Sequence, residues 1–315
     1  MDGVLIVDKP EGLTSHDVVA RVRRILRVRR VGHTGTLDPF ATGVLVLLLG
    51  RATRLAQFLN GAEKEYEATI RFGYATDTGD IQGQPQSAVQ IAPDWDPDQI
   101  EAALSTLRGE ILQTPPMFSA KKVKGEKLYE MARRGEIIAR EPVAVNVPLF
   151  EAVKQNGELL RRNEDGTTHL TVRVVCSAGT YVRTLAESLG QMLGVGAHLA
   201  QLRRTRAGQF KIENSLHLAE LEQKAEAGTA LHSLVSPDAA LSQLPFASFD
   251  RVEAQKASNG MSVRVTTQPV NEWPDGQQVR MRDEDGDLFA VGFYDAAGQL
   301  LHPRIVIAPA NEAGE

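Results

Sequence analysis

The chain has 315 residues, of which 42% are hydrophobic and 24% charged, a composition typical of a folded globular protein with one large domain or two. Its longest apolar run, residues 44–49, is too short to cross a bilayer, and its first ten residues lack the basic start of a signal peptide. The single cysteine, Cys176, excludes an internal disulfide. These features predict a soluble cytoplasmic protein.

The net charge of −5 is unevenly distributed along the chain. Residues 1–60 carry nine Lys or Arg against five Asp or Glu, and residues 114–145 carry seven against four. Residues 246–315 reverse this balance, with six basic residues against eleven acidic ones. A basic surface over the first two thirds is compatible with binding to a nucleic acid backbone, although charge by itself favours ordinary solvated faces.

The predicted elements begin with a strand at residues 4–10 and a helix whose start has the capping-box residues Thr14 and Asp17. Residues 66–73 alternate between apolar and polar side chains and predict a half-buried strand. Asp96 and Pro97 predict a helix start as N-cap and first helical residue.

Further along, residues 170–177 predict a strand that buries Cys176, residues 180–193 predict a helix, and residues 154–169 predict a polar hairpin extension. A change in composition near residue 246 predicts a domain boundary there, giving domains 1–245 and 246–315. The second consists of short strands with turn signals such as Asp285-Gly286. The mixture predicts an α+β fold. The glycine, histidine and serine patterns match no nucleotide-phosphate cradle, metal-ligand spacing or nucleophile elbow.

Asp38 lies in a glycine-rich loop, GHTGTLDPFATGVL at residues 32–45, that leads into an apolar run. An aspartate before a proline is a good helix N-cap, which predicts a structural role. The alternative is a carboxylate exposed to substrate, acting as a nucleophile and kept ionised by a nearby cation. The loop alone leaves both interpretations open.

Arg183 is a candidate for that cation, because the dipole at the start of its predicted helix disfavours an unpartnered positive charge. The alternative is an intrahelical pair with Glu187, which stabilises a helix by only about 0.3 kcal/mol. Tyr66 and Tyr181 have two interpretations as well. Each fits either the protein core or a platform on which a nucleic acid base stacks.

Six motifs, in order, give the chain a resemblance to the TruB family of tRNA pseudouridine-55 synthases over residues 1 to about 210. They are VDKPEGLTSHDVV, GHTGTLDPFATGVL, KEYEATIRFGYATDTGD, TPPMFSAKKVKGEKLYEMARRG, SAGTYVRTLAESLG and GAHLAQLRRTRAG. The resemblance implies a pseudouridine synthase fold, with a mixed, mainly antiparallel central sheet and flanking helices. It also implies an RNA-binding thumb at about 114–145 and a small β-rich PUA-like C-terminal domain.

By this resemblance, Asp38 is the catalytic nucleophile, Arg183 is its ion-pair partner, and Tyr66 stacks on the flipped uracil and assists proton removal. The other substrate-binding positions are His33, Tyr181 and Leu202. The basic residues predicted to bind RNA are Lys121, Lys122, Lys124, Arg203 and Arg204. Lys9 and Pro10 match a motif with a structural role. The resemblance implies no cofactor or metal, and it implies the T-arm stem-loop of tRNA as partner; we expect a monomer.

The predicted function is isomerisation of uridine 55 in the T loop to pseudouridine, by base flipping and aspartate-dependent exchange of the glycosidic bond. Two rivals are considered. A non-catalytic tRNA-binding or folding protein on the same scaffold would not require Asp38, Tyr66 and Arg183 together. A glycoside or nucleoside hydrolase would pair Asp38 with Asp77 or Asp80 and release free uracil, which isomerisation does not.

Overall fold

The computed structural model describes residues 1–119, 121–123, 125–136, 138–265 and 273–308. The strands in chain order are β1 (Gly3–Lys9), β2 (Val31–Thr34), β3 (Thr42–Leu49), β4 (Lys64–Phe72), β5 (Gly109–Gln113), β6 (Lys122–Val123), β7 (Glu126–Lys127), β8 (Val143–Val147), β9 (Leu149–Val153), β10 (Leu160–Arg162), β11 (Thr168–Cys176), β12 (Ala197–Ala207), β13 (Phe210–Lys211), β14 (Phe246–Ser248), β15 (Val263–Arg264), β16 (Gln278–Arg282), β17 (Leu288–Asp295) and β18 (Leu300–Val306). The α-helices are α1 (Ser15–Leu26), α2 (Ala56–Leu59), α3 (Pro97–Ser105), α4 (Leu128–Arg133), α5 (Val182–Met192), α6 (Leu218–Glu226), α7 (Pro237–Ala240) and α8 (Arg251–Ser258).

Nine of the described strands form one mixed sheet, ordered β1-β3-β12-β4-β11-β10, with β2, β9 and β13 paired beside this path. The pairings are antiparallel except between β3 and β12, which run parallel and pair only at Thr42–Arg203 and Gly43–Arg204. The predicted α+β fold with a mainly antiparallel sheet is therefore confirmed. The sheet is weakly joined between β3 and β12.

The local sequence signals produce the elements expected of them. In β4, alternate residues from Lys64 to Phe72 are buried, and the predicted face of Tyr66, Ala68, Ile70 and Phe72 points into the core. At the start of α1, Thr14 and Asp17 exchange both capping-box hydrogen bonds. Asp96 caps α3, with Pro97 as its first residue. Each side-chain cap stabilises its helix by about 1 kcal/mol.

The core lies mainly on one face of the main sheet. Apolar residues of α1, α3, α5 and α6 pack there against alternate residues of the strands. β1 and β3 are also buried on their opposite face, by a second cluster that includes Leu288, Val291 and Ile307 from the C-terminal part of the chain. In β4, β11 and β12 that opposite face stays largely open, as shown by the exposed Glu67, Arg173 and Gln201.

A second, five-stranded sheet is ordered β14-β16-β17-β18-β15 and covers residues 246–306. The predicted turn at Asp285-Gly286 connects β16 and β17, whereas α8 was not expected from the sequence. The division into domains at residue 246 stays a prediction. Within the described ranges, no helix is long and apolar enough to span a membrane.

Two further segments project from the main sheet. β5 and β8 pair with each other, and the chain between them forms the β6–β7 hairpin and α4. This places the predicted thumb, about 114–145, on a two-stranded stem. The polar segment 154–169 folds back through β10 onto β11, with Gln155 paired to Glu158, which confirms the predicted hairpin.

Candidate active site

Asp38 lies in the loop between β2 and β3, which is held in place from both sides. The Ser15 hydroxyl at the start of α1 accepts a hydrogen bond from the Leu37 amide at 2.9 Å. The buried Lys9 ammonium donates to the Pro39 carbonyl at 3.2 Å. The Asp38 carbonyl accepts from the Ala41 amide, so Asp38 begins a β-turn and no helix follows it. The helix-cap interpretation is therefore wrong.

Arg183, in the first turn of α5, directs its guanidinium at Asp38. Its Nε lies 2.9 Å from Asp38 Oδ2, and its Nη2 lies 3.3 Å from Oδ1. The two remaining donations go to the carbonyls of Thr78 and Phe118, each at 2.8 Å. The position of the guanidinium is thus fixed by contacts with three separate segments of the chain, at Asp38, Thr78 and Phe118. The alternative pair with Glu187 is not formed among the described ion pairs.

Asp80 is the member of this cluster that the sequence did not single out for this role. It is 5% exposed, and its Oδ2 lies 3.8 Å from Arg183 Nη1. The Thr78 hydroxyl and the Gln82 amide donate to its Oδ1 at 2.8 and 3.0 Å. The available signal was the TDTGD segment, in which the sequence indicated Asp80 only as one of two possible partners of Asp38 in a hydrolase.

Opposing charges act on the Asp38 carboxyl, whose side chain is 33% exposed. Burial raises its pKa above that of a free aspartate, and the Asp80 carboxylate adds to the rise. Arg183 and Lys9 pull the pKa back down. A carboxylate with a fixed cation on one edge and solvent access on the other can accept a proton or attack an electrophile.

Tyr66 lies on the inward face of β4 and is 9% exposed. Burial raises the pKa of its phenol, and the nearby Arg204 guanidinium opposes that rise by charge and hydrogen bonding. Arg204 is itself only 1% exposed and donates to backbone carbonyls inside the protein. The prediction that Arg204 binds RNA is therefore wrong, because its guanidinium is not on the surface.

The other predicted substrate-binding residues surround the same region. His33 in β2 packs edge-on against His16, with ring centroids 5.5 Å apart. Burial, then the charges of His16 and Arg204, lower the pKa of His33 to about 4, so that its imidazole is neutral at physiological pH. Tyr181 immediately precedes α5 and exchanges two backbone hydrogen bonds with the Gln113 side chain. Leu202 lies opposite Ala68 on β4.

A groove of about 750 Å³ runs beside the Asp38 loop. Phe40 and Thr42 line one side, and Ile81 with residues 200–203 of β12 line another. The groove continues to the 154–169 hairpin through Arg71, Arg161 and His169. Thr42 of β3 and Arg203 of β12, which pair with each other, both line it, and its volume is large enough for a nucleotide.

The remaining basic residues are distributed unevenly. Arg203 lines the groove, and its guanidinium pairs with Asp8 at 2.7 Å. Lys121 and Lys122 lie in the segment between β5 and β8, away from the Asp38 loop in sequence, with Lys122 exposed. The base of that segment reaches the site through the Phe118 carbonyl, which Arg183 contacts. Lys124 lies outside the described residues.

Solved structures with the same architecture include a Cbf5-Nop10-Gar1 complex, with a TM-score of 0.73 and 27% identity over 98% of this chain and 86% of that chain. An archaeal box H/ACA sRNP Nop10-Cbf5 complex has a TM-score of 0.70 and 26% identity, covering 99% of this chain and 88% of that one. The similarity thus extends over nearly the whole of this chain.

Two family models match consecutive parts of the sequence. The TruB family pseudouridylate synthase N-terminal domain covers residues 23–182, and the tRNA pseudouridylate synthase B C-terminal domain covers residues 183–242. The protein named tRNA pseudouridine synthase B from Solibacter usitatus is 41% identical over 98% of this chain and 100% of its own length. That from Stutzerimonas stutzeri is 38% identical over 97% of this chain and 96% of its own length.

The fold and these matches define a pseudouridine synthase, the class that the sequence motifs predicted. Within that class, the chain belongs to the TruB family.

Proposed function

We propose that this protein converts uridine 55 in the T loop of tRNA to pseudouridine, with Asp38 as the catalytic carboxylate. The observation that carries the proposal is the Asp38–Arg183 pair, whose loop also places Phe40 in the wall of a nucleotide-sized groove. The names of its relatives support tRNA as the substrate. The protein acts as a monomer in the cytoplasm, and light scattering with and without tRNA tests its oligomeric state.

The target uridine must leave the stacked T loop before any carboxylate can reach its sugar, and extrusion costs a few kcal/mol. Tyr66 and Tyr181 offer aromatic faces for the extruded uracil, and Leu202 offers an apolar one. Stacking on an aromatic side chain is worth about 1–3 kcal/mol per base, enough to offset much of that cost. Lys121, Lys122 and Arg203 bind phosphates of the T arm, and His33, as a neutral imidazole, contacts the target nucleotide.

The reaction is an isomerisation, so its atoms balance without a second substrate. The N1–C1′ bond of uridine breaks with the assistance of the Asp38 carboxylate, and the uracil rotates while it is held in the pocket. A C5–C1′ bond then forms. The proton on C5 leaves, assisted by Tyr66, and N1 gains a proton. Arg183 keeps Asp38 ionised and oriented throughout, because its other donors are fixed by Thr78 and Phe118.

The test uses an unmodified tRNA transcript with tritium at C5 of uridine. Wild type is expected to release one tritium per tRNA from the T-loop uridine, whereas Asp38→Asn, which is nearly isosteric, releases none. Asp77→Asn is the matched control, because Asp77 is an exposed aspartate of the TDTGD segment whose carboxylate accepts only the Gln84 amide among the described hydrogen bonds.

Three outcomes count against the proposal. Asp38→Asn activity within tenfold of wild type would remove Asp38 from the chemistry. Tight tRNA binding without tritium release by wild type would favour the RNA-folding function. Free uracil among the products, lost in Asp77→Asn, would favour the hydrolase.

A further inference from the structure

Arg204 is the largest fully buried side chain in the described part of the protein, and the proposed reaction has so far given it no role. Burying a guanidinium is costly unless its donors are satisfied. Because Arg204 is buried next to the proposed reaction site in spite of this cost, we consider a role for it in the reaction.

The contacts of Arg204 join two strands and the Asp38 loop. Its Nε donates to the Val44 carbonyl of β3 at 2.6 Å, and its Nη2 donates to the Gly35 carbonyl at 2.9 Å. Gly35 is the first residue of the loop that carries Asp38. Arg204 therefore connects β12 to the near end of that loop, across the place where β3 and β12 pair at only two positions.

Two glycines adapt the backbone to this arginine. At Gly43, which pairs with Arg204, an added Cβ would lie 2.2 Å from the Arg204 carbonyl oxygen. At Gly35, an added Cβ would lie 3.4 Å from the guanidinium, and both glycines have positive φ. The close approach of β3 and β12 thus requires glycine at Gly43, and the positive φ of Gly35 favours glycine there.

Arg204 also stands directly opposite Tyr66 in the antiparallel pairing of β12 with β4. Residues paired in this way project to the same face, with Cβ atoms about 4.5–5.5 Å apart. The charge of Arg204 also affects the neighbouring titratable groups. It lowers the pKa values of His33 and Lys64 and opposes the increase in the pKa of Tyr66.

We propose that Arg204 is a positioning residue for the reaction: it ties the Gly35 end of the Asp38 loop to the sheet and places that loop against Tyr66. This inference rests on the proposed function. Arg204 does not touch the nucleotide. It sets the distance between the carboxylate and the tyrosine, which come from a loop and a strand that are otherwise weakly connected. A misplacement of about 1 Å at such a site can cost about 100-fold in rate.

The experiment measures the single-turnover rate of tritium release and the Kd for tRNA separately, with Arg204→Lys and Arg204→Met. Lysine keeps the charge but can reach only one of the two carbonyls. We expect Arg204→Lys to lower the rate about 10-fold and Arg204→Met about 100-fold, with the Kd changed less than about twofold. Arg206→Lys, on the same strand, is the matched control, because its guanidinium pairs at the surface with Glu63 and Glu65 and should leave both values unchanged.

A double-mutant cycle separates positioning from general stability. In a Tyr66→Phe background, Arg204→Lys should cost less than in wild type, because part of what it positions is already lost. Equal costs in both backgrounds, together with rate losses that follow the melting temperature, would make Arg204 a structural residue and overturn the inference. A loss of tRNA affinity at unchanged rate would overturn it as well. If Arg204→Met does not fold, Arg204→Lys decides.

Failure of the inference is distinct from failure of the proposed function. If wild type and Arg206→Lys both release tritium and Arg204→Lys equals them, only the role of Arg204 falls. If wild type itself releases none, the proposed function falls, and the role of Arg204 falls with it.

Discussion

Within the described residues, aspartate contacts buried arginine both in the Asp38 loop and at Asp238, between the nine-stranded and five-stranded sheets. In the second cluster, Asp238 of α7 accepts hydrogen bonds from both Arg280 and Arg282 of β16, at 2.6 to 3.0 Å. Both of its oxygens are occupied by guanidinium groups, and the Phe246 ring covers Arg282 at 4.1 Å. This cluster joins the chain before residue 246 to the sheet after it.

Asp38 differs from Asp238 in the arrangement of its partners. It has one arginine, and that arginine is also held by the Thr78 and Phe118 carbonyls and lies near Asp80. The Asp38 side chain is 33% exposed, so one edge of its carboxylate remains accessible to solvent. Asp238 thus has two guanidinium partners for one carboxylate, whereas Arg183 has two carbonyl partners besides Asp38. From this difference we expect Asp238 to contribute to stability and Asp38 to the proposed reaction.

The largest expected effects come from two single variants, Asp38→Asn and Asp238→Asn. Asp38→Asn should lower tritium release by at least about 10³-fold, a barrier increase of about 4 kcal/mol, while the melting temperature stays close to wild type. Asp238→Asn should do the reverse. It should cost about 1–3 kcal/mol of unfolding free energy, because two guanidinium groups lose the negative charge and one of the two acceptor oxygens, and leave activity within about threefold. Denaturant unfolding and tritium release check both. Comparable activity losses in the two variants would contradict the comparison.

The next effect is that of Arg183. Arg183→Met should lower turnover about 100-fold, with a smaller change in tRNA affinity, because the side chain contacts Asp38 and is buried. Since Arg183 lowers the pKa of Asp38, its loss should also raise that pKa. The acid limb of the kcat/KM profile would then move to higher pH. A pure loss of affinity would instead make Arg183 a phosphate contact.

A smaller effect, with the opposite sign in pH, is expected for Asp80→Asn. The Asp80 carboxylate raises the pKa of Asp38, so removing its charge should lower that pKa and move the acid limb of kcat/KM to lower pH. Loss of one anchor for Arg183 should reduce the rate at neutral pH about 10-fold. The profile is measured between about pH 5 and 8, with Asp77→Asn as control. An acid limb that moves to higher pH would exclude this electrostatic role.

The features that sequence predicted best are those with a local cause. The capping box of α1, the N-cap of α3 and the alternation of β4 each depend on residues within a few positions of one another. The Asp38–Arg183 pair spans 145 residues, and no spacing rule could have joined them. The helix-dipole argument made Arg183 one candidate partner, and the resemblance to a family selected it over the alternative pair of Arg183 with Glu187.

For Arg204 and Asp80, the sequence by itself did not predict the contacts that the structure shows. Arg203 and Arg204 are adjacent arginines in the segment LRRTR, and both were predicted to bind RNA at the surface. The structure places Arg203 on the groove, paired with Asp8, and buries Arg204 beneath the Asp38 loop. The TDTGD segment likewise has a turn sequence, and its packing beside α5 turns Asp80 toward Arg183.

By itself, the sequence predicted several of the helices and strands, indicated the family and gave Asp38 as the candidate carboxylate, because these follow from short-range patterns and from motifs. Only the tertiary structure decided which arginine faces the carboxylate, which one is buried beneath it, and which aspartate keeps a free edge. These contacts form between strands and loops that are far apart in the sequence. They are specific because a buried charge is costly unless it has a partner.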